Sequence, residues 1–377
     1  MGLALLMLTG LGIADEKKSG HVITEMEKCY TLLVTFSAWP LSETDASRIN
    51  LINTLPYDGV ALPLIGTYEE SKSWCADSLR SLAEALRNRS RAHVWPWVFL
   101  NRIIAPRDQT GPLDQKPGIS HIKLIDLQDK HAAFSQFLTI FDQALNVART
   151  LGSPGIFLDP EFYSAYNNND IYYLAKNLGI EPQKAVEDLR SLGAHIADHI
   201  EAHYSDAIVW AAFTGMSVGH PALCASYPER WRTVTWIFDG MLGRAKDRRY
   251  SFKVVSGGEW FPGYCYTSFV DLIEGQAEAH RRIEPYLKKY PNLRLGATIA
   301  PWVDSKLRTG YFGTGSESSY KCRGSKLEKA EDFIPLLRNM MWHSKYLWIY
   351  GASGAGFLPF TKEGKRLNDI IRKVIQN

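Results

Sequence analysis

Eight times along this chain an apolar run of strand length is followed by an amphipathic stretch of helix length. The apolar runs are Tyr30 to Phe36, Gly59 to Leu64, Ala92 to Leu100, Gly155 to Leu158, Ala207 to Phe213, Phe252 to Val255, Leu293 to Ile299 and Tyr346 to Tyr350. Several are apolar at consecutive positions, the pattern of strands buried on both faces. The intervening stretches carry apolar residues at helical spacing, such as Leu79, Leu82 and Leu86, or Leu192, Ile196 and Ile200. Helices are expected at 45–55, 69–89, 127–151, 182–204, 228–246, 269–289, 327–344 and 362–375, with a short extra one at 170–178.

Strands separated by helices pair in parallel, because a parallel pair needs a long crossover connection. Eight such units can close on themselves, and the expected fold is a single α/β domain, a (β/α)8 barrel over residues 29–377. An open, doubly wound sheet is the competing arrangement. It would set some helices on the opposite face, which periodicity does not distinguish. No Pro/Gly/Ser-rich linker divides the chain, and no short-period repeat is present.

Composition narrows the function classes. With 43 Lys and Arg against 40 Asp and Glu, the net charge of +3 leaves no basic footprint for nucleic acid, and none is expected as a partner. The five cysteines are scattered without a Cys-x-x-Cys pair, which excludes a zinc ribbon or a disulfide scaffold as the organising principle. One disulfide among Cys224, Cys265 and Cys322 stays open for an exported protein. Residues 1–20 read as a leader: Gly2 to Ala14 is mostly apolar, and Gly12-Ile13-Ala14 has the small-x-small form of a signal-peptidase site. Secretion or a periplasmic location follows as the expectation, with a buried N-terminal helix as the alternative. The run is shorter than the roughly 20 apolar residues of a membrane span, so no span is expected in the mature chain.

In a barrel of this kind, chemistry belongs to the loops after each strand. The fourth strand runs straight into Asp159-Pro160-Glu161, and because side chains alternate, Phe157, Asp159 and Glu161 share one face. The sixth opens into Gly257-Gly258-Glu259-Trp260. The fourth strand's exit also carries Tyr163, and other strand ends supply Trp39, Asn101, Arg102, Trp302 and Asp304. Carboxylates flanked by aromatic rings suit cleavage of a glycosidic bond: one acid protonates the leaving oxygen, another serves as nucleophile or general base, and rings stack on sugar faces. The expected catalytic set is Asp159, Glu161 and Glu259. Expected contacts to a carbohydrate substrate are Trp39, Asn101, Arg102, Tyr163, Trp260, Trp302 and Asp304. For the acids the alternative is a loop cap or a salt bridge such as one to Arg102; for the rings it is ordinary packing.

The alternating units, with Asp159-Pro160-Glu161 after strand four and Gly257-Gly258-Glu259-Trp260 after strand six, resemble the broad superfamily of (β/α)8-barrel glycoside hydrolases. The resemblance spans nearly the whole mature chain as architecture, on short motifs, and picks out no single family. The Asp-x-Glu is similar to the end of the chitinase-type motif, in which the Glu is the acid and the Asp orients an acetamido group. Pro154 and Phe157 stand at the upstream acidic positions of that motif. The largest clan carries Asn-Glu after strand four and a Glu after strand seven, where this chain has Pro160-Glu161 and Asp304. Families that divide their acids between strands four and six are the nearer analogy. The resemblance therefore implies Glu161 as general acid/base with Asp159 or Glu259 as its partner.

No cofactor and no resident metal is expected, and the oligomeric state is left open. Two other readings stand beside hydrolysis: Asp159, Glu161, Glu259 and Asp304 holding Mg²⁺ in a lyase or isomerase, and a carbohydrate-binding barrel without turnover. His195, His199 and His203 recur every fourth residue but lack the His-Glu-x-x-His pattern, and read as a solvated helix face. The glycines from Gly351 to Gly356 follow a strand without the lysine or spacing of a P-loop.

Overall fold

Strand β4 (Gly155–Asp159) is buried at all five positions, with Ile156 and Leu158 on one side and Phe157 on the other. It has no solvent face because it lies between two cores. The computed structural model describes residues 29–35, 52–62, 88, 92–99, 132–160, 170–216, 233–259, 269–302, 333–351 and 362–376. The leader at 1–20, the connection after Leu100, the cysteines other than Cys29 and the glycines Gly354 and Gly356 lie outside them, as does most of the helix expected at 69–89.

The remaining strands are β1 (Tyr30–Thr35), β2 (Gly59–Leu62), β3 (His93–Phe99), β5 (Ile208–Ala211), β6 (Lys253–Ser256), β7 (Leu293–Leu295), β8 (Ala297–Trp302) and β9 (Tyr346–Gly351). The helices are α1 (Ala132–Leu151), α2 (Ile171–Leu178), α3 (Pro182–Tyr204), α4 (Thr233–Arg248), α5 (Phe269–Lys289), α6 (Phe333–His343) and α7 (Lys362–Gln376). All pairings are parallel, in the order β7-β6-β5-β4-β3-β2-β1-β9-β8. β7 and β8 are separated by Gly296 alone, whose N–H donates to the Ser256 carbonyl at 2.8 Å. The first half of this strand pairs with β6 and the second half with β9, so the sheet closes and the chain folds as a (β/α)8 barrel. The single seventh strand expected from the sequence is thus two ladders, because the chain changes partner at Gly296.

Closure creates the two cores. Ile156, Leu158, Val209 and Val254 face outward onto helix residues such as Phe141, Leu145, Ile196 and Ile237. Inside lie Leu32, Val34, Ala61, Trp95, Trp97, Phe157, Trp210, Ala212, Val255, Tyr346 and Trp348. Four of the eleven tryptophans therefore pack the interior and are no sugar platforms. Near the strand starts Trp210 meets Trp95 at 5.8 Å and Tyr346 at 5.4 Å, both edge-on. Edge-to-face ring pairs contribute about 0.5–1.5 kcal/mol each beyond the area they bury.

On the outer wall, Asp239 of α4 accepts from Arg190 Nε of α3 at 2.8 Å, from Lys289 Nζ at 3.1 Å and from the Tyr290 hydroxyl. Burial alone would push the Asp239 carboxyl up, but the hydrogen bonds from Tyr290 and Lys289 and the charges of Lys289 and Arg190 outweigh it. They hold the group below the ordinary carboxylate range. A carboxyl depressed on folding contributes stability that is full above its unfolded value, about 3.9, and is lost as pH falls through the folded one. Asp239→Asn should therefore flatten the fall of Tm between about pH 5 and about pH 2, read in a thermal melt series, and lower Tm at neutral pH.

Candidate active site

Asp159 closes β4 at its C-terminal end and is 4% exposed. It lies two residues beyond Phe157, so strand alternation turns it to the same, axis-facing side as that ring. Phe157 packs on Trp97 at 5.7 Å and on Trp348 at 5.2 Å, making an aromatic floor under the open end.

The loop carrying Glu259 is fastened to the same floor. After β6, the Gly257 N–H donates to the Ala211 carbonyl at 2.8 Å and the Glu259 N–H to the Ala212 carbonyl at 3.0 Å. Two residues advance on β6 while one advances on β5, a slip that Gly258 absorbs with a left-handed φ of 72°. The Trp348 indole crosses from β9 and donates to the Gly257 carbonyl at 2.8 Å. Thr214 and Ser256, both fully buried, share a hydroxyl hydrogen bond of 2.8 Å that ties the end of β5 to the end of β6. Glu259 emerges 7% exposed.

The two acids thus rise from strand ends separated only by β5. The Ala212 N–H bonds the Leu158 carbonyl at 2.9 Å on one side, and its own carbonyl receives Glu259 on the other. Two inter-strand spacings put their backbones about 10 Å apart. Carboxylates held there can act on a bond lying between them, or can jointly hold a cation.

Gly257 leaves no room for an added methyl. A Cβ there would stand 2.6 Å from the Ala211 oxygen, 2.7 Å from Trp348 Nε1 and 2.8 Å from the Ala212 oxygen. Two of these are backbone oxygens at the end of β5 and do not yield. Gly257→Ala should cost about 1–3 kcal/mol, the range of overpacked cores, as a lowered midpoint in urea.

Of the other expected site residues, Trp302 closes β8 opposite Gly351. Glu161, Trp39, Asn101, Arg102, Tyr163, Trp260 and Asp304 lie outside the described residues. Trp348 and Ser256 position the site without having been expected to, and Thr214 joins them at the exit of β5. Alternation puts Trp348 on one face with Tyr346 and Tyr350, but which face turns inward and which loop it reaches depend on closure.

No family model matches the chain, and no curated protein does. Among solved structures, the chain is similar to a GH5-4 broad specificity endoglucanase from an uncultured bacterium, at 11% identity and a TM-score of 0.45, over 88% of this chain and 85% of that one. It is similar at the same identity and TM-score to the spore cortex-lytic enzyme SleL of Bacillus cereus, over 96% and 79%. A sugar phosphate isomerase/epimerase from Parabacteroides distasonis aligns over 94% of each chain at 9% identity and a TM-score of 0.38. Likeness this distant selects no activity; the strand order itself establishes the barrel.

Proposed function

We propose that the chain is a glycoside hydrolase of oligo- or polysaccharides, exported behind its 1–20 leader, with its catalytic domain over 29–377. The observation that carries this reading is the pair of buried carboxylates, Asp159 and Glu259, held on one aromatic floor at the C-terminal ends of β4 and β6. Side chains leaning toward the axis from backbones about 10 Å apart fall in the range of about 5–9.5 Å at which paired acids flank a glycosidic bond.

In this reading Glu161 protonates the departing glycosidic oxygen as the bond from the anomeric carbon breaks. Asp159 or Glu259 either attacks that carbon or takes a proton from the water that does, and water's hydroxyl ends on the sugar. Trp39, Tyr163, Trp260 and Trp302 offer ring faces, while Asn101, Arg102 and Asp304 bind hydroxyls. The test is release of new reducing ends from a panel of α- and β-linked glucans, xylans, mannans and amino-sugar polymers, with and without EDTA. Hydrolysis indifferent to EDTA and lost in Glu161→Gln is expected. Activity only with added Mg²⁺ would replace the proposal with metal-dependent chemistry, and affinity without turnover would replace it with a binding barrel.

A further inference from the structure

The histidines spaced along α3 do not form a uniformly solvated face. His195 is exposed, but His199 and His203 turn toward α1 and share one carboxylate. His199 Nδ1 lies 2.8 Å from Asp142 Oδ1, and His203 Nε2 lies 3.4 Å from Asp142 Oδ2. The two rings stack at 6.1 Å, inclined by 17°. One donor atom from each of the three residues falls within 4.8 Å of the others. We propose that Asp142, His199 and His203 form a binding site for one divalent ion of the zinc class.

Three features support this. Donors around a tetrahedral ion at about 2.1 Å stand about 3.4 Å apart, and the three donors, already within 4.8 Å of one another, need only small side-chain rotations to reach that spacing. Two imidazoles and one carboxylate favour Zn²⁺, Co²⁺, Ni²⁺ or Cu²⁺ over Mg²⁺ and Ca²⁺, which take oxygen donors. The site is also held in place beforehand. Phe141 and Leu145 of α1 and Ile196 and Ile200 of α3 are buried beside it, and the Tyr204 hydroxyl donates to the Ser153 carbonyl at 2.7 Å, fixing the end of α3 against the turn after α1. Side-chain exposures of 31% for His199, 35% for His203 and 20% for Asp142 leave a side open for water as fourth ligand. In the bound form each ring turns an unprotonated nitrogen to the ion and carries its proton on the outward nitrogen.

The site lies on the outer wall. α3 ends at Tyr204, one residue past His203, before the chain enters β5 at Ile208, so the ion would sit toward the strand starts and away from Asp159 and Glu259. Its role would be to fasten α1 to α3, independent of any hydrolysis.

Titration of tag-free, EDTA-treated protein with Co²⁺ tests the site. One equivalent should develop visible d–d absorption and be displaced by Zn²⁺. Zn²⁺ at a hundredfold excess over its Kd should raise Tm by about 3 °C for a chain of this size. His199→Gln and Asp142→Asn should each weaken Co²⁺ affinity by at least about tenfold, and the double variant His199→Gln/His203→Gln should abolish the spectrum. The wild-type titration stands even where a variant folds poorly. Absence of both spectrum and Tm shift in the wild type, or a spectrum that survives in a folded double variant, would overturn the proposal.

Discussion

Asp159→Asn and Glu259→Gln should each lower kcat on a hydrolysed glycoside by about 10²- to 10⁴-fold, the usual range for losing an acid or base. Each amide keeps the shape of the carboxyl it replaces, so a loss of this size with Tm within a few degrees of wild type would belong to chemistry. Groups that act together are not additive: the double variant should be little worse than the poorer single one. The measurement is kcat and KM on the best substrate of the panel, beside a thermal melt of each variant. Retention of activity within about tenfold in both folded variants would remove Asp159 and Glu259 from the catalytic set. A fall in one alone would leave that residue paired with Glu161.

Trp348→Ala should be strongly destabilising. The side chain is 1% exposed, packs on Phe157 and Tyr350, and supplies a donor to the Gly257 carbonyl. Truncating a buried Trp to Ala costs about 3–5 kcal/mol. Trp348→Phe separates the two roles. It keeps most of the packing but withdraws the N–H from a buried acceptor, a loss of about 1–3 kcal/mol. Urea unfolding gives both free energies. The phenylalanine variant should lose activity out of proportion to stability, since Gly257 is two residues from Glu259; an unchanged kcat in Trp348→Phe would show that the indole anchor does not hold the loop.

What the sequence made legible follows from the range of each interaction. Helices at 182–204 and 269–289 are expected and found at the same bounds, because Pro182 at the first turn and the periodic apolar stripes are local signals. The placement of Asp159 and Glu259 at strand ends was equally local, resting on alternation and on the flexible Gly257-Gly258 pair. Contacts that close the barrel were not legible. Gly296 separates two ladders only because Ser256, forty residues earlier, supplies its acceptor. His199 and His203 were visible as neighbours on one helix face, but Asp142 comes from another helix, 57 residues before His199. Abundant aromatics suggested sugar platforms, yet Trp95, Trp97, Trp210 and Trp348 are consumed by packing inside the barrel.

The closing pairing also sets an order in time. β1 is hydrogen-bonded along its length to β9, from Tyr30 against Tyr346 to Thr35 against Gly351, so its second partner is made more than 300 residues later. At about 5–20 residues per second, a ribosome takes roughly 15–60 s to cover that distance. Through that interval Tyr-Thr-Leu-Leu-Val-Thr, an uncharged β-forming sequence, presents an open strand edge. The nascent chain is most vulnerable at its earliest strand, and a truncation anywhere before β9 makes that vulnerability permanent.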